Sequence, residues 1–543
     1  MAAALSPAHG RHVVVACLAV TAGALLLAAV VSVRWGAFAI GGSDSHCYAG
    51  QARMFVQRRA SLAPPLALPV PWPNAAATFA PSGFAPGPDP AGGSVPLCAA
   101  GLAVAMAGAM RAAGDGAIFA VVPLLGLLAV WSTWLLGRRF AGPVVGASSA
   151  LLVACSPTFL YQLVQPMSDV PAAALWTAAL ATALGPPGIE RPGAARGLVA
   201  GLITGAAVMI RPNLAPLAII PALIMWPSRA AVAASAVGAV PGIAAVALLQ
   251  AAVYGSPLRS GYGDLSQLFS LHYVATNVVN YPAWLAFAHT PVLALGVLAP
   301  LVAPRRGIAW ALLAFAVGVL AAYLPYVPFT DWWYTRFMLP AIPALIILMM
   351  TLVDQAVRRL PARAAFAAMA VVTVVLGVHW LRRADDVAVF RLKSLEQKYV
   401  ELGRLASSRL PRNAIVVAAQ PAGSVRYFPD LPTLSWDAIG PAWLDRVFAG
   451  CRARGLTPCL AVEAWETEAF KSSVRGHSPT VALDWPPRAT LGNAIFVYDP
   501  ADWDRYHAGE RIQPEFITWG RRQSLGIRDS GFEIRDSRPI RSK

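Results

Sequence analysis

Gly41-Gly42-Ser43-Asp44-Ser45-His46-Cys47-Tyr48-Ala49-Gly50-Gln51-Ala52 is the stretch around which the rest of the chain is read. It comes soon after the first long apolar run and holds the first acidic residue of the sequence. Asp44 and Tyr48 are four residues apart, a spacing that puts both on one face of a short helix. A carboxylate delivered to the edge of a bilayer is costly unless it is used. The alternative is an ordinary solvated loop aspartate, and the remainder of the chain has to decide between them.

Composition decides the class. Of 543 residues, 57% are hydrophobic and 13% are charged. A soluble protein of this size does not need so much apolar surface, so the expectation is an α-helical polytopic membrane protein in a lipid bilayer. Lys and Arg outnumber Asp and Glu by 43 to 27, for a net charge of +16. In a membrane protein such an excess marks cytoplasmic loops. No basic block is interleaved with aromatic residues, so nucleic acid is not expected as a partner. Cys17, Cys98 and Cys155 lie in apolar runs and read as packing. Cys451 and Cys459 could form a disulfide if their region is extracytoplasmic. No CxxC or HExxH spacing occurs, and no small-residue cleavage pattern follows the first apolar run, which therefore reads as a retained span.

Runs long enough to span, or nearly so, cover residues 12–33, 117–136, 143–161, 170–184, 197–210, 214–226 and 230–253. Four more cover 283–303, 308–327, 338–357 and 364–381. Residues 95–110 are short and weakly hydrophobic. Treating that run as a non-crossing interfacial helix makes Arg138-Arg139, the 190–196 loop, Arg229, Arg305-Arg306 and the 358–363 loop all cytoplasmic. The expectation is thus about eleven spans with a cytoplasmic N-terminus. The first external loop then covers residues 34–116, including a Pro/Gly-rich irregular stretch at 63–93. This assignment also collects Asp44, Asp169, Arg211, a polar aromatic loop at 254–281 and residues 331–336 on one external face.

The transmembrane unit ends near residue 382, and 383–543 has the composition of a small extracytoplasmic α/β domain. Val387, Phe390, Leu395, Tyr399, Leu402 and Ala406 recur at helical spacing, and 414–418, 459–462 and 494–498 read as short buried strands. Gln420 to Tyr427 reads as an ordinary strand-to-helix turn, with an anion cradle as the weaker alternative. Trp436, Trp443, Trp465 and Trp485 fit either buried core or sugar-stacking positions. The end of the chain, 521–543, is charged, and disorder is expected there.

Four motifs occur in order: residues 42–48, the segment from Ser156-Pro157 to Ser168-Asp169-Val170-Pro171, Arg211-Pro212-Asn213, and Tyr334-Thr335-Arg336-Phe337-Met338-Leu339-Pro340. In this order the chain resembles the GT-C superfamily of polytopic membrane glycosyltransferases, in the branch of protein mannosyltransferases and lipid A aminoarabinose transferases. The resemblance covers about residues 13–381. It implies an enzyme of the cell envelope, in the bacterial cytoplasmic (inner) membrane, that takes a sugar from a polyprenyl-phosphate carrier to an extracytoplasmic protein, lipid or glycan acceptor. It also implies a non-crossing helix in the first external loop.

Asp44 matches the family's first-loop acid and is the expected catalytic base, since an inverting transfer needs a carboxylate to take the acceptor proton. Many relatives carry a second acid beside it, whereas Ser43 and Ser45 stand here. Asp169 matches the second-loop acid, for acceptor or metal contact. Its segment is also a good helix start. Arg336 is the expected ligand of the donor phosphate, with Tyr334 in an interfacial aromatic cluster beside it. His46, Tyr48 and Arg211 are further substrate-binding candidates. Relatives differ in metal need, so a divalent ion stays open and no metal ligand is assigned. Two rivals remain: a transporter or flippase for a lipid-linked solute, and a non-catalytic relative acting as an assembly partner. Against the first stands the lack of paired, broken spans in matching positions.

Overall fold

The computed structural model describes residues 7–518 except 90–92, 187, 189–191, 264, 265, 267 and 481, and only the backbone of 7–11. The segment 521–543 and part of the 190–196 loop lie outside the described residues. The chain begins with the long helix α1 (Pro7–Trp35) and then α2 (Ser43–Val56). The stretch read as a loop is therefore mostly helix, with Gly42 at its cap. A short helix α3 (Ala75–Phe79) and a two-stranded antiparallel ribbon, β1 (Phe84–Pro86) with β2 (Ser94–Pro96), interrupt the irregular stretch. Next comes α4 (Ala100–Ala113), which at about 1.5 Å per residue is too short to cross a bilayer.

The apolar body follows: α5 (Ile118–Ala141), α6 (Pro143–Cys155), α7 (Pro157–Leu163), α8 (Asp169–Leu184), α9 (Ala194–Ile210), α10 (Ile219–Ile224) and α11 (Arg229–Tyr254). It continues with α12 (Val274–His289), α13 (Ala299–Val302), α14 (Arg306–Tyr323), α15 (Ile342–Val357) and α16 (Ala362–Asp386). Among the described residues, five helices are long and apolar enough to cross a membrane, or eight if each of three bent pairs counts as one span. The expected single run at 283–303 is broken, because the chain turns by 110° between α12 and the 3-10 segment Pro291–Leu298. Val274–Tyr281, expected as loop, is the first half of α12.

Two of the breaks are tied together by hydrogen bonds between helices, although His289 Nδ1 and Thr290 Oγ1 are buried without a partner. At the 59° bend between α6 and α7, Pro157 has no N–H to offer, and Ser156 Oγ accepts from the Phe159 amide at 3.2 Å. The same hydroxyl lies 2.7 Å from His289 Nε2, while Trp380 Nε1 donates to the His289 carbonyl at 2.7 Å. One serine thus ties the α6–α7 bend to the α12 bend, and α16 locks both. Helices α9 and α11 approach through glycines. A Cβ on Gly201 would sit 2.1 Å from the Ser235 carbonyl oxygen, and one on Gly242 would sit 2.3 Å from the Gly205 backbone. Small residues four apart are what lets two helix backbones come this close.

After α16 the chain forms α17 (Leu392–Arg409), β3 (Ala414–Val417), α18 (Ala422–Tyr427), β4 (Thr433–Leu434), α19 (Leu444–Arg452) and β5 (Thr457–Glu463). Then come α20 (Thr467–Val474), β6 (Ala489–Leu491), β7 (Ile495–Tyr498), α21 (Ala501–His507) and β8 (Glu515–Ile517). The six strands make one mixed sheet in the order β4-β3-β5-β7-β6-β8, parallel across β4-β3-β5 and antiparallel where β7 meets its neighbours. Helical spacing in α17 holds for Tyr399, Leu402 and Ala406, which are buried, but Leu395 points outward.

Cysteine pairing differs from expectation. Cys451 and Cys459 are both free and buried, and the disulfide joins Cys47 to Cys98. Strand alternation explains the first point. Cys451 packs in one core with Leu460 and Val462, whereas Cys459 alternates with them along β5 and turns to the opposite face of the sheet. The second point follows from α2 lying against the segment that leads into α4, with Cys98 at its end.

Candidate active site

Two glycines open the site. A Cβ on Gly41 would lie 2.0 Å from the Tyr399 ring, and one on Gly42 would lie 2.7 Å from Gln420 Nε2. The lack of side chains there lets α17 and the β3–α18 turn close over the start of α2, and Asp44 emerges beside them in the first turn of α2. Directly below is a cavity of about 1060 Å³. Its lining includes Asp44 and Tyr48 from α2, Ser168 and Asp169 from the start of α8, Arg211 after α9, and Tyr334 and Arg336 before α15.

Within the cavity the charges are paired. Arg336 Nη2 lies 2.8 Å from Asp44 Oδ2, with Asp44 about a third exposed and Arg336 more deeply set. Its Nε is buried with no hydrogen-bond partner. The guanidinium carbon stands 5.3 Å from the Tyr334 ring centre and 5.2 Å from that of Phe337. Tyr334 in turn stacks on Phe329 with centroids 3.7 Å apart and planes 11° from parallel. Arg336 is therefore held against a rigid aromatic wall with one face of its donor fork on Asp44.

The second pair is deeper. Arg211 donates to Asp169 and to the hydroxyl of Tyr323, and the Asp169 side chain is 1% exposed. Asp169 Oδ2 is buried without a partner. Neither Asp169 nor Ser168 caps α8 through its side chain. Ser168 Oγ instead accepts a 2.8 Å hydrogen bond from the Tyr48 hydroxyl, which joins α2 to α8. The helix-start reading of this segment is correct for the backbone, but its side chains are spent on the site.

His46 is a correction. It does not line the cavity but is 1% exposed, with Nδ1 2.6 Å from the Ser82 carbonyl and its ring 5.1 Å from Phe84. Burial pushes its imidazole down to about 4. Its position two residues from both Asp44 and Tyr48 on the helix turns it away from the Asp44 face, toward α18 and residues 82–84. Sequence reasoning also missed the wall contributed from far along the chain: Glu396 and Tyr399 of α17, and Gln420. No local motif marks them. The only signal was the amphipathic character of α17, which fixed Tyr399 as buried without showing against what. Of the four tryptophans considered, Trp485 is buried, Trp436 and Trp443 pack on the core, and Trp465 is exposed with its Nε1 donating to Glu463 at 2.8 Å. Among the described residues no group of three His, Cys, Asp or Glu side chains could hold a metal ion.

No protein-family model matches the chain, and no curated protein matches it by sequence. Solved structures do match. ArnT from Cupriavidus metallidurans in the apo state superposes with a TM-score of 0.55 at 13% identity, covering 91% of this chain and 98% of that one. The same protein bound to undecaprenyl phosphate gives 0.53 at 13% identity, over 89% and 97%. The Archaeoglobus fulgidus oligosaccharyltransferase in complex with zinc and sulfate gives 0.53 at 11% identity, over 86% and 70%. The chain has a GT-C-like fold.

Proposed function

We propose that the protein transfers a sugar from a polyprenyl-phosphate carrier to a hydroxyl-bearing acceptor on the extracytoplasmic face of a bacterial inner membrane. The observation that carries this reading is the Asp44–Arg336 pair, set at the mouth of a large cavity between apolar helices and a polar C-terminal segment. A base for the acceptor and a fork-shaped cation for a phosphate are the two groups such a transfer needs. The undecaprenyl phosphate bound by the ArnT structure of the same fold supports a lipid phosphate as the donor's carrier.

The mechanism follows from the geometry. Arg336 offers its unpartnered Nε and one Nη to the donor phosphate, and phosphate oxygens displace the Asp44 carboxylate from the guanidinium. Freed, Asp44 accepts the proton of the acceptor hydroxyl as that oxygen attacks the anomeric carbon. The bond from that carbon to the phosphate oxygen breaks, and the leaving polyprenyl phosphate keeps its electron pair, stabilised by Arg336. Asp169 and Arg211 form a fixed neutral floor that, with Tyr48 and Ser168, positions donor or acceptor.

The proposed topology has eleven crossings: the eight counted above together with the short helices Asp169–Leu184, Ala194–Ile210 and Pro212–Ile224, while Ala100–Ala113 stays at the outer interface. With the N-terminus cytoplasmic, the basic loops stay inside and residues 383–543 form the external domain. The Cys47–Cys98 disulfide supports an oxidising compartment for the first loop.

The test is transfer by purified protein from radiolabelled polyprenyl-phosphate sugars to cell-envelope acceptors, with Asp44→Asn alongside. Wild type should transfer, and Asp44→Asn should lose at least about a hundredfold in kcat, the usual scale of a general base. Equal rates would remove Asp44 as the base, and donor binding without consumption by the wild type would favour a carrier or assembly role.

A further inference from the structure

The cavity has a charge left over. Five charged side chains line it, and four of them make the pairs Asp44–Arg336 and Asp169–Arg211. The fifth is Glu396, in the first turns of α17. Among the described residues Glu396 makes no hydrogen bond or ion pair. The nearest cation in sequence, Lys398, is committed to Glu463 at 2.8 Å. Glu463 also accepts from Trp465 Nε1 at 2.8 Å, and Tyr399 reaches both Glu463 and Gln420. These neighbours are bonded to one another, although Glu463 Oε1 is buried without a partner, whereas Glu396 is half-buried, faces the cavity and takes part in none of these bonds. Its carboxylate is therefore free to accept hydrogen bonds from whatever occupies the cavity. Burial, reinforced by Glu463, pushes its carboxyl up to about 7, against the opposing pull of Lys398.

We infer that Glu396 is an acceptor-binding residue: its carboxylate takes hydrogen bonds from the hydroxyls of a polyhydroxylated ligand, with Gln420 and Tyr161 completing the polar wall. All three side chains line the cavity, and Glu396 acts electrostatically on Tyr161, which lies across the wall on α7. The two arginines of the lining suit an anion, whereas the unpaired acid on α17 suits donors of hydrogen bonds. A sugar is the ligand class that presents several hydroxyls to one carboxylate and two neutral partners. Naming that ligand the acceptor rests on the transfer reading above; the binding of hydroxyls at Glu396 does not. In this arrangement the C-terminal segment selects the acceptor, Asp44 of α2 deprotonates it, and Arg336 before α15 holds the donor phosphate.

The experiment uses the full-length protein in a non-glycosidic detergent and two probes. Undecaprenyl phosphate reports the phosphate end through its effect on Tm. Methyl glycosides of common hexoses and pentoses report the α17 end through saturation-transfer NMR. Glu396→Gln should bind glycosides about tenfold more weakly, the difference between a charged and a neutral acceptor, with an unchanged response to undecaprenyl phosphate. Glu396→Asp should recover part of the glycoside signal. Glycoside binding that is equal in wild type and Glu396→Gln would overturn the assignment, as would its absence from the wild type. A wild type that binds glycosides through Glu396 but ignores undecaprenyl phosphate would uphold the assignment and remove the donor reading instead.

Discussion

At the scale of single residues, burial decides what a charge can be used for. Asp169 and Arg211 are almost fully enclosed, so either one alone would be an uncompensated charge in an apolar surround. Asp169→Ala should therefore cost about 3–5 kcal/mol of stability. Replacing both partners, as Asp169→Ala with Arg211→Met, should cost clearly less than the single change. Thermal unfolding in detergent separates the two outcomes, and a double variant no better than the single one would mean the pair is not desolvated. A different carboxyl, Glu466, reports on proton linkage. It is buried beside Glu463, accepts the Glu463 amide hydrogen bond at 2.9 Å, and is pushed up to about 7 by burial and by that neighbouring acid. Its folded value lies above its unfolded one, so its contribution is full below about pH 4.5 and is lost as pH rises through about 7. Glu396 acts in the same sense. Wild-type Tm should thus fall across that window, and Glu466→Gln, which keeps the hydrogen-bond acceptor, should flatten the fall.

At the scale of elements, the fold depends on close helix approach at a few positions that a side chain cannot share. Gly201 of α9 faces the backbone of Ser235 in α11, and backbone cannot swing aside as a rotamer can. Gly201→Leu should push the two helices apart at about 3 kcal/mol or more. Gly23→Ala in α1 is the matched control, because a Cβ there meets nothing within 4 Å. It should be neutral or slightly stabilising by helix propensity, and comparable Tm losses in both variants would sink the packing argument. These contacts also show what the sequence could and could not disclose. Apolar runs were legible because span length and composition are properties of a contiguous stretch. The bend at His289-Thr290 was not, since an apolar run stays apolar through a turn at which His289 Nε2 and the His289 carbonyl are bonded by Ser156 and Trp380 from distant helices. The helix start at residues 168–171 is legible because its chemistry is local, but the bond from the Tyr48 hydroxyl to Ser168 Oγ, from 120 residues away, is not.

At the scale of the whole molecule, the apolar helical part and the sheet-bearing segment are joined around the cavity that both line. The motifs around Asp44, Asp169, Arg211 and Arg336 were legible because each is short and local, and their convergence on one cavity follows from the fold. Glu396, Tyr399 and Gln420 carry no motif, so only the folded chain reveals that they close the same cavity. The joint is sterically exact at Gly41, where an added methyl would lie 2.0 Å from the Tyr399 ring. Gly41→Ala should therefore lever α17 away from the start of α2, with the cost of overpacking at about 1–3 kcal/mol. Protease sensitivity of the connection between α16 and α17, around Ala388, should rise with it. Tyr399→Ala alone should also destabilise, because it opens a hole under the sheet. If the two residues truly abut, the small side chain at 399 makes room for the methyl at 41. The double variant should then be more stable than the sum of the two losses predicts, a coupling of about 0.5–3 kcal/mol. Strict additivity in that cycle would mean that α17 does not rest on Gly41, and the C-terminal segment would then be free to leave the cavity that it lines.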